Sequence, residues 1–236
     1  MDAVIFDLDQ TLLDRDRSLR EFIHWQCRGM LRPYLDNEQS FTNRFIELDA
    51  NGTVWKDRVY QELINEFSLA DWSVQELLTV YETCFCAFAL PREGVVEAVK
   101  SLAGKYKIGL ISNGMTPFQE RNFRALGISS VFESIIVSQA VGLRKPDRQI
   151  FHLGCHQLGA SPQNTIFIGD NPIADMRGAS DAGLNTIFVT TPLHADCAIA
   201  DVICSDMREL PCLVEAMESI VAAQDSGYLK DGLRYF

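Results

Sequence analysis

The 236-residue chain has no long apolar run of the kind that crosses a membrane. A helix needs roughly 18 or more consecutive apolar residues to cross a bilayer, and no stretch approaches that length. The first residues also lack the basic, apolar and small-residue succession of a secretory signal. These absences predict a soluble cytoplasmic protein without a membrane partner.

Paired cysteines and an excess of basic residues are missing as well. The seven cysteines are an odd number and lack CxxC spacing, which predicts reduced thiols and no disulfide framework. Acidic residues outnumber basic ones by 32 to 21, for a formal net charge of -11. Such a surface repels nucleic-acid backbones, so we expect no nucleic-acid partner. The net negative charge does not exclude a small anionic substrate, because one local site can still be positive.

The chain does contain an alternation of strand-like and helix-like segments. Short apolar runs, typical of parallel strands covered on both faces, are separated by amphipathic stretches with three- and four-residue spacing. This alternation predicts an α/β fold with a Rossmann-like, doubly wound parallel sheet. The predicted strands are Val4–Leu8, Ile108–Ser112, Ser134–Ser138, Thr165–Ile168, Thr186–Val189 and Val202–Cys204.

Residues 14–91 interrupt this alternation with helical patterns only, and they contain all three tryptophans. We therefore predict a helical domain over 14–91, inserted after the first strand of a core built from 1–13 and 92–236. Within the insert, Lys56 and Arg58 are the candidate cations for an anionic part of a substrate. The polar stretch 225–236 is expected to be a loose or docking tail.

Polar and charged side chains follow the ends of four predicted strands. In an open parallel sheet the carboxyl ends of the strands meet at one edge, where ligands bind. Residues from distant parts of the chain are therefore expected to converge there. They are Asp7 and Asp9 after the first strand, Ser112 and Asn113 after the second, Lys145 after the third, and Asp170 with Asp175 after the fourth.

This combination of side chains has a chemical logic. Two carboxylates about 4 Å apart repel one another by roughly 4 kcal/mol at an effective dielectric constant near 20, so a cation or retained protons must offset them. Oxygen ligands of this kind suit Mg²⁺, which also coordinates phosphate oxygens. With a hydroxyl and an ammonium beside the metal, the set describes a site for phosphoryl chemistry.

Four segments of the chain resemble the four motifs of the haloacid dehalogenase superfamily. The order and spacing of the segments agree with that family along the core, and the helical insert resembles its helical cap domain, which determines substrate specificity. The resemblance implies an α/β hydrolase with a Mg²⁺ cofactor. The matching segments are "DLDQT" (7–11), "ISNG" (111–114), Lys145 before Pro146, and "GDNPIAD" (169–175).

The resemblance also implies a role for each matching acid. Asp7 would be the nucleophile that forms an aspartyl-phosphate. Asp9 would protonate the leaving oxygen and then deprotonate the hydrolytic water. The implied metal ligands are Asp7, the backbone carbonyl of Asp9, Asp170, and Asp175 either directly or through water.

The remaining matched positions are implied to handle the phosphoryl group. Ser112 would donate a hydrogen bond to a phosphoryl oxygen, and Lys145 would neutralise the group and orient the nucleophile. Asn113 and Gly114 would contribute backbone N–H groups as an anion site. Thr11 would steady the turn that presents the second aspartate.

Three functional alternatives follow from these residues. Dehalogenases of the superfamily lack the acid two residues after the first aspartate, because a departing halide needs no proton, so Asp9 favours a phosphatase. The expected substrate is a small phosphomonoester of nucleotide, sugar phosphate or phosphoglycolate type. A haloacid dehalogenase, or a non-catalytic relative that binds a phosphorylated ligand, stays open as an alternative.

Overall fold

In the computed structural model, the described residues, 1–225, divide into two units by their internal contacts. The α/β unit comprises 1–12, 91–116 and the described chain from 128 onward, and the helical unit comprises 13–90 and 117–127. Among the described residues, no helix has the length and apolar character needed to span a membrane. The tail expected over 225–236 lies, apart from Asp225, outside the described residues.

The α/β unit contains a six-stranded parallel sheet, which confirms the predicted fold class. The strand order is β3-β2-β1-β4-β5-β6, so β1 lies in the middle between β2 and β4. Each strand overlaps a predicted one. The strands are β1 (Ala3–Phe6), β2 (Lys107–Ser112), β3 (Ser134–Val137), β4 (Thr165–Gly169), β5 (Asn185–Val189) and β6 (Val202–Cys204).

Helices connect these strands and make up the helical unit. In the helical unit they are α1 (Arg15–Gln26), α2 (Glu38–Asp49), α3 (Lys56–Glu66), α4 (Val74–Cys84) and α6 (Phe118–Ala125), with a π-helical turn at Cys27–Leu31. In the α/β unit they are α5 (Val95–Ala103), α7 (Ser138–Val141), α8 (Arg148–Leu158), α9 (Gly178–Asp181) and α10 (Leu210–Asp225), with a π-helical turn at Pro172–Arg177.

The core of the α/β unit follows from the uninterrupted apolar strands. All four residues of β1 are fully buried, as expected for a central strand covered on both faces. Phe151 of α8 packs against Phe167 of β4 with ring centroids 5.0 Å apart. Burial of apolar surface stabilises this arrangement by roughly 25 cal/mol per Å². The register aligns Phe6 with both Leu110 and Ile168, so the residues after β1 emerge beside the ends of its two neighbours.

The helical unit has a separate aromatic core. Phe22 of α1 packs edge-on against Tyr81 of α4, and Phe118 of α6 stacks on the same tyrosine at 5.1 Å. The core predicted over 1–13 and 92–236 includes α6. In the structure, contacts group 117–127 with the helical unit, and Phe118 also packs against Phe85.

Candidate active site

The end of β1 delivers Asp7 to the edge of the sheet. The Asp7 N–H donates to the carbonyl of Ile168 at 2.8 Å, which continues the β1–β4 pairing by one residue. The side chain is 10% exposed. A central strand therefore holds this carboxylate rigidly while a small part of it remains open to a reactant.

Lys145 provides the cation beside this carboxylate. Its ammonium lies 2.5 Å from Asp7 Oδ1 and donates to the carbonyl of Ile111 at 2.9 Å. It also forms an ion pair with Asp175, at 2.7 Å from Oδ1. Burial alone would lower the pKa of Lys145, but Asp175 and Asp7 together raise it above its usual value. The lysine is therefore a permanent positive charge.

The backbone of Lys145 is held by Asn113. The Asn113 side chain accepts from the Lys145 N–H and donates to the Lys145 carbonyl, both at 3.0 Å. The Asn113 side chain therefore positions the lysine, a contact that the sequence did not predict. The role predicted for its backbone N–H at an anion site stays a prediction. The Gly114 N–H, also expected at the anion site, donates to Ser138 Oγ at 3.0 Å. Ser138 was missed, although a polar residue directly after β3 was a visible signal.

Asp175 lies on the π-helical turn after β4 and is 1% exposed. Its Oδ2 accepts from the Asn171 N–H at 3.0 Å, and the Asn171 side chain caps the first turn by accepting from two backbone N–H groups. The absence of a side chain at Gly169 makes room for this carboxylate, because a Cβ there would lie 2.6 Å from Asp175 Cγ. Both oxygens of Asp175 thus already contact protein groups.

Carboxylate oxygens of Asp7, Asp170 and Asp175 lie within 4.8 Å of one another, a spacing suited to a metal ion. Burial raises the pKa of Asp7 to about 7, against the lowering effect of Lys145 and with further increases from Asp175 and Asp9. Burial and the Asp7 charge raise the pKa of Asp170 to about 8. Asp7 and Asp170 therefore retain protons near neutral pH unless a cation replaces them, and the oxygen-only set of carboxylates fits Mg²⁺.

The other expected site residues lie on the same strand ends. Asp9 is partly exposed, and Ser112, the last residue of β2, is 1% exposed. Thr11 steadies the turn through its backbone, since its N–H donates to the Leu8 carbonyl at 3.3 Å. The buried Thr11 hydroxyl has no hydrogen-bond partner among the described residues. Gln10, which lies between Asp9 and Thr11, has a φ of +58°, a left-handed conformation unusual for a residue with a Cβ.

The candidate cations of the helical insert lie in two different environments. Lys56 is 2% exposed and pairs with the buried Asp49, which also accepts two 2.9 Å hydrogen bonds from the guanidinium of Arg15. Burial alone would raise the pKa of Asp49, but Arg15 and Lys56 hold it below its ordinary value. Arg58, by contrast, is exposed at the surface.

Comparison with known proteins identifies the class of this site. Residues 4–189 match the model of the family described as haloacid dehalogenase-like hydrolases, and the chain belongs to that family. The glyceraldehyde 3-phosphate phosphatase of Methanopyrus kandleri is 25% identical over 82% of this chain and 86% of its own length. The pyrimidine 5'-nucleotidase YjjG of Escherichia coli is 27% identical over 80% of this chain and 85% of its own length.

A solved structure supports the fold. The putative hydrolase YfnB from Bacillus subtilis, bound to magnesium, is similar with a TM-score of 0.73 and 20% identity over 90% of this chain and 98% of its own. At that identity the likeness concerns the fold alone. The family match and the strand-end acids together make this chain an enzyme of the hydrolase class.

Proposed function

We propose that this hydrolase is a Mg²⁺-dependent phosphatase that cleaves a small phosphomonoester through an aspartyl-phosphate on Asp7. The observation that carries the proposal is the buried ammonium of Lys145 beside Asp7, next to a cluster of carboxylates that could hold a metal ion. The names of two relatives, a glyceraldehyde 3-phosphate phosphatase and a pyrimidine 5'-nucleotidase, support a small phosphorylated substrate of sugar phosphate, nucleotide or phosphoglycolate type. We also propose a cytoplasmic location, which the seven free cysteines support.

The first chemical step uses Asp7 as nucleophile and Asp9 as acid. A carboxylate oxygen of Asp7 bonds to phosphorus while the bond from phosphorus to the ester oxygen breaks. The Asp9 carboxyl gives its proton to that leaving oxygen, so an alcohol departs. Lys145 keeps Asp7 oriented and offsets the charge of the phosphoryl group, and Ser112 donates to a phosphoryl oxygen.

The second step returns the enzyme to its starting state. Asp9, now a carboxylate, accepts a proton from a water molecule whose oxygen bonds to phosphorus. The bond from phosphorus to the Asp7 oxygen breaks, which releases inorganic phosphate and restores both the Asp7 carboxylate and the Asp9 carboxyl. One side chain thus serves as acid and then as base in successive steps.

The proposed metal ligands are Asp7, Asp170 and the backbone carbonyl of Asp9. When bound, Mg²⁺ would supply positive charge that orients the phosphoryl group and offsets the crowded carboxylates. Because both oxygens of Asp175 already contact Lys145 or the Asn171 N–H, we propose that Asp175 supports the metal through water.

Phosphate release tests the proposal directly. The wild type should hydrolyse 4-nitrophenyl phosphate with Mg²⁺ and lose this activity in chelator. Asp7→Asn should lower the rate at least about 1,000-fold. The control is Asp181→Asn, at an exposed acid 3.9 Å from Arg148, which should leave the rate unchanged.

A screen of nucleotides, sugar phosphates and phosphoglycolate then identifies the substrate class. Halide release from a 2-haloacid without phosphate release would instead support the dehalogenase alternative, and binding without turnover a non-catalytic relative.

A further inference from the structure

Arg92 connects two loops at the edge of the sheet where Asp7 lies. Its Nη1 donates to the carbonyl of Gln10, after β1, and its Nη2 donates to the carbonyl of Thr190, after β5, at 3.1 Å. The Arg92 backbone N–H also donates to the Leu12 carbonyl at 3.0 Å. The side chain is half-buried. One residue therefore contacts the loop after β1 at two points, Gln10 and Leu12.

The two carbonyls that Arg92 joins belong to loops that follow β1 and β5, two strands that are not neighbours in the sheet. In the sheet, β4 lies between β1 and β5, so the guanidinium bridges the loops that follow the two neighbours of β4, the strand that directly precedes Asp170. Carbonyls beyond the end of a strand no longer have ladder partners and need other donors. The planar guanidinium, with several N–H groups in a fixed arrangement, can satisfy two such acceptors at once.

The contact of Arg92 with the Gln10 carbonyl falls in a turn with an unusual backbone conformation. Gln10 adopts a φ of +58°, and a non-glycine residue keeps such a conformation only where its surroundings enforce it. Since Gln10 directly follows Asp9, the peptide group that Arg92 anchors belongs to the turn that presents the Asp9 side chain. Sparsely populated backbone conformations of this kind are common where a reacting group must be held in one orientation.

We propose that Arg92 is a positioning residue for Asp9: it holds the Gln10 turn and thereby keeps the Asp9 carboxyl oriented toward the leaving oxygen. This inference rests on the proposed phosphatase function and on the acid role of Asp9 within it. Arg92 itself contacts carbonyl groups of the chain and needs no contact with the substrate.

The reactivity of the leaving group separates this role from simple structural support. Phenyl phosphate and 4-nitrophenyl phosphate have the same ring, but phenoxide is the more basic leaving group and depends more on a proton donor. Loss of acid positioning should therefore slow phenyl phosphate more than 4-nitrophenyl phosphate. Loss of folded protein lowers both rates equally and leaves their ratio unchanged.

The experiment compares kcat/KM for these two substrates in Mg²⁺ for the wild type, Arg92→Met, Arg92→Lys, Asp9→Asn and Arg208→Met. The value kcat/KM covers the steps through cleavage of the ester bond, so a later slow hydrolysis of the intermediate does not affect it. Arg208→Met is the matched control, because Arg208 is an exposed arginine of the same unit paired with Asp206 and Glu93.

We expect the ratio of phenyl to 4-nitrophenyl kcat/KM to fall about tenfold in Arg92→Met. It should fall further in Asp9→Asn and less in Arg92→Lys, which keeps the charge but not the planar geometry. Arg208→Met should keep the wild-type ratio. An unchanged ratio in both Arg92 variants, with a lowered ratio in Asp9→Asn, overturns the inference. A wild type without activity on either ester would instead contradict the proposed function.

Discussion

The ammonium of Lys145 lies 2.7 Å from Asp175 Oδ1, and the two side chains are 2% and 1% exposed. Lys145 follows β3 in the chain and Asp175 follows β4, so this buried ion pair joins two loops at the edge of the sheet. Because Lys145 also pairs with Asp7, the orientation of Asp175 affects the group that we propose as nucleophile. Substitutions at Gly169 and at Lys145 should therefore both disturb this chain of contacts.

Gly169→Ala should damage the site while sparing the fold. The added Cβ would overlap the Asp175 carboxylate and displace it from Lys145. Because a displacement of about 1 Å can cost on the order of 100-fold in rate, we expect a loss of that size in kcat with 4-nitrophenyl phosphate. Gly29→Ala is the control, since a Cβ there has nothing within 4 Å. Full activity in Gly169→Ala would contradict the importance of Asp175.

Lys145→Met should lower both activity and stability. The substitution leaves the buried carboxylates of Asp7 and Asp175 without their cation, which costs about 3–5 kcal/mol when one partner of a buried pair is removed. The exposed pair of Lys105 with Glu215 provides the control, and Lys105→Met should change the free energy of unfolding far less, because solvent screens exposed pairs. Urea unfolding followed by circular dichroism, with phosphate release in parallel, measures both effects; equal stabilities would argue against a charged pair.

Metal-free protein should become less stable as the pH rises from about 5.5 to 8. Folding raises the pKa of Asp7 from 3.8 to about 7 and that of Asp170 from 3.8 to about 8. The folded state therefore binds more protons than the unfolded state in this window, and the free energy of unfolding falls with rising pH. The expected fall between pH 5.5 and 7 is on the order of 2 kcal/mol for each group.

Thermal unfolding in chelator across this pH range measures the effect. Mg²⁺ should raise Tm more at pH 8 than at pH 5.5, because at the lower pH the ion must displace protons from its ligands. Asp170→Asn should flatten the metal-free profile and reduce the Mg²⁺ effect. A metal-free Tm that climbs steadily with pH, in the wild type and in Asp170→Asn alike, would contradict the assignment of these acids.

Asp49→Asn should destabilise the helical unit by about 3–5 kcal/mol, since it removes the buried carboxylate shared by Arg15 and Lys56. All three tryptophans of the chain lie in this unit, so tryptophan fluorescence during urea unfolding reports on it selectively. Glu66→Gln, which alters the exposed ion pair with Arg44, should leave the urea midpoint nearly unchanged, because solvent screens exposed pairs. Equal effects of the two substitutions would contradict the difference between the buried and the exposed pair.

Much of the α/β unit could be read from local patterns. Each of the six predicted strands overlaps an observed one, because several are continuous apolar runs of the kind typical of parallel strands buried on both faces. Residues such as Asp7 and Asp170 could be expected near one another for a topological reason: parallel strands end at the same edge of a sheet. That Asp7, Asp170 and Asp175 could share one ion depends on this rule together with the register of β1 and β4.

Other relationships could not be predicted, because they depend on the paths of loops and on contacts between distant residues. The two hydrogen bonds between the Asn113 side chain and the Lys145 backbone join positions 32 residues apart, and no local pattern encodes that pairing. The grouping of α6 with the helical unit follows from the packing of Phe118 on Tyr81, which the apolar spacing of either helix does not indicate.

The sequence by itself determined the chemistry available at the site, because the type and spacing of residues at strand ends depend only on the order of the chain. The tertiary structure alone decided how those groups are held: Lys145 between Asp7 and Asp175, and Arg92 between the carbonyls of Gln10 and Thr190. The reason is physical, since a hydrogen bond or ion pair requires two groups within about 3 Å, and only the folded backbone brings distant residues that close.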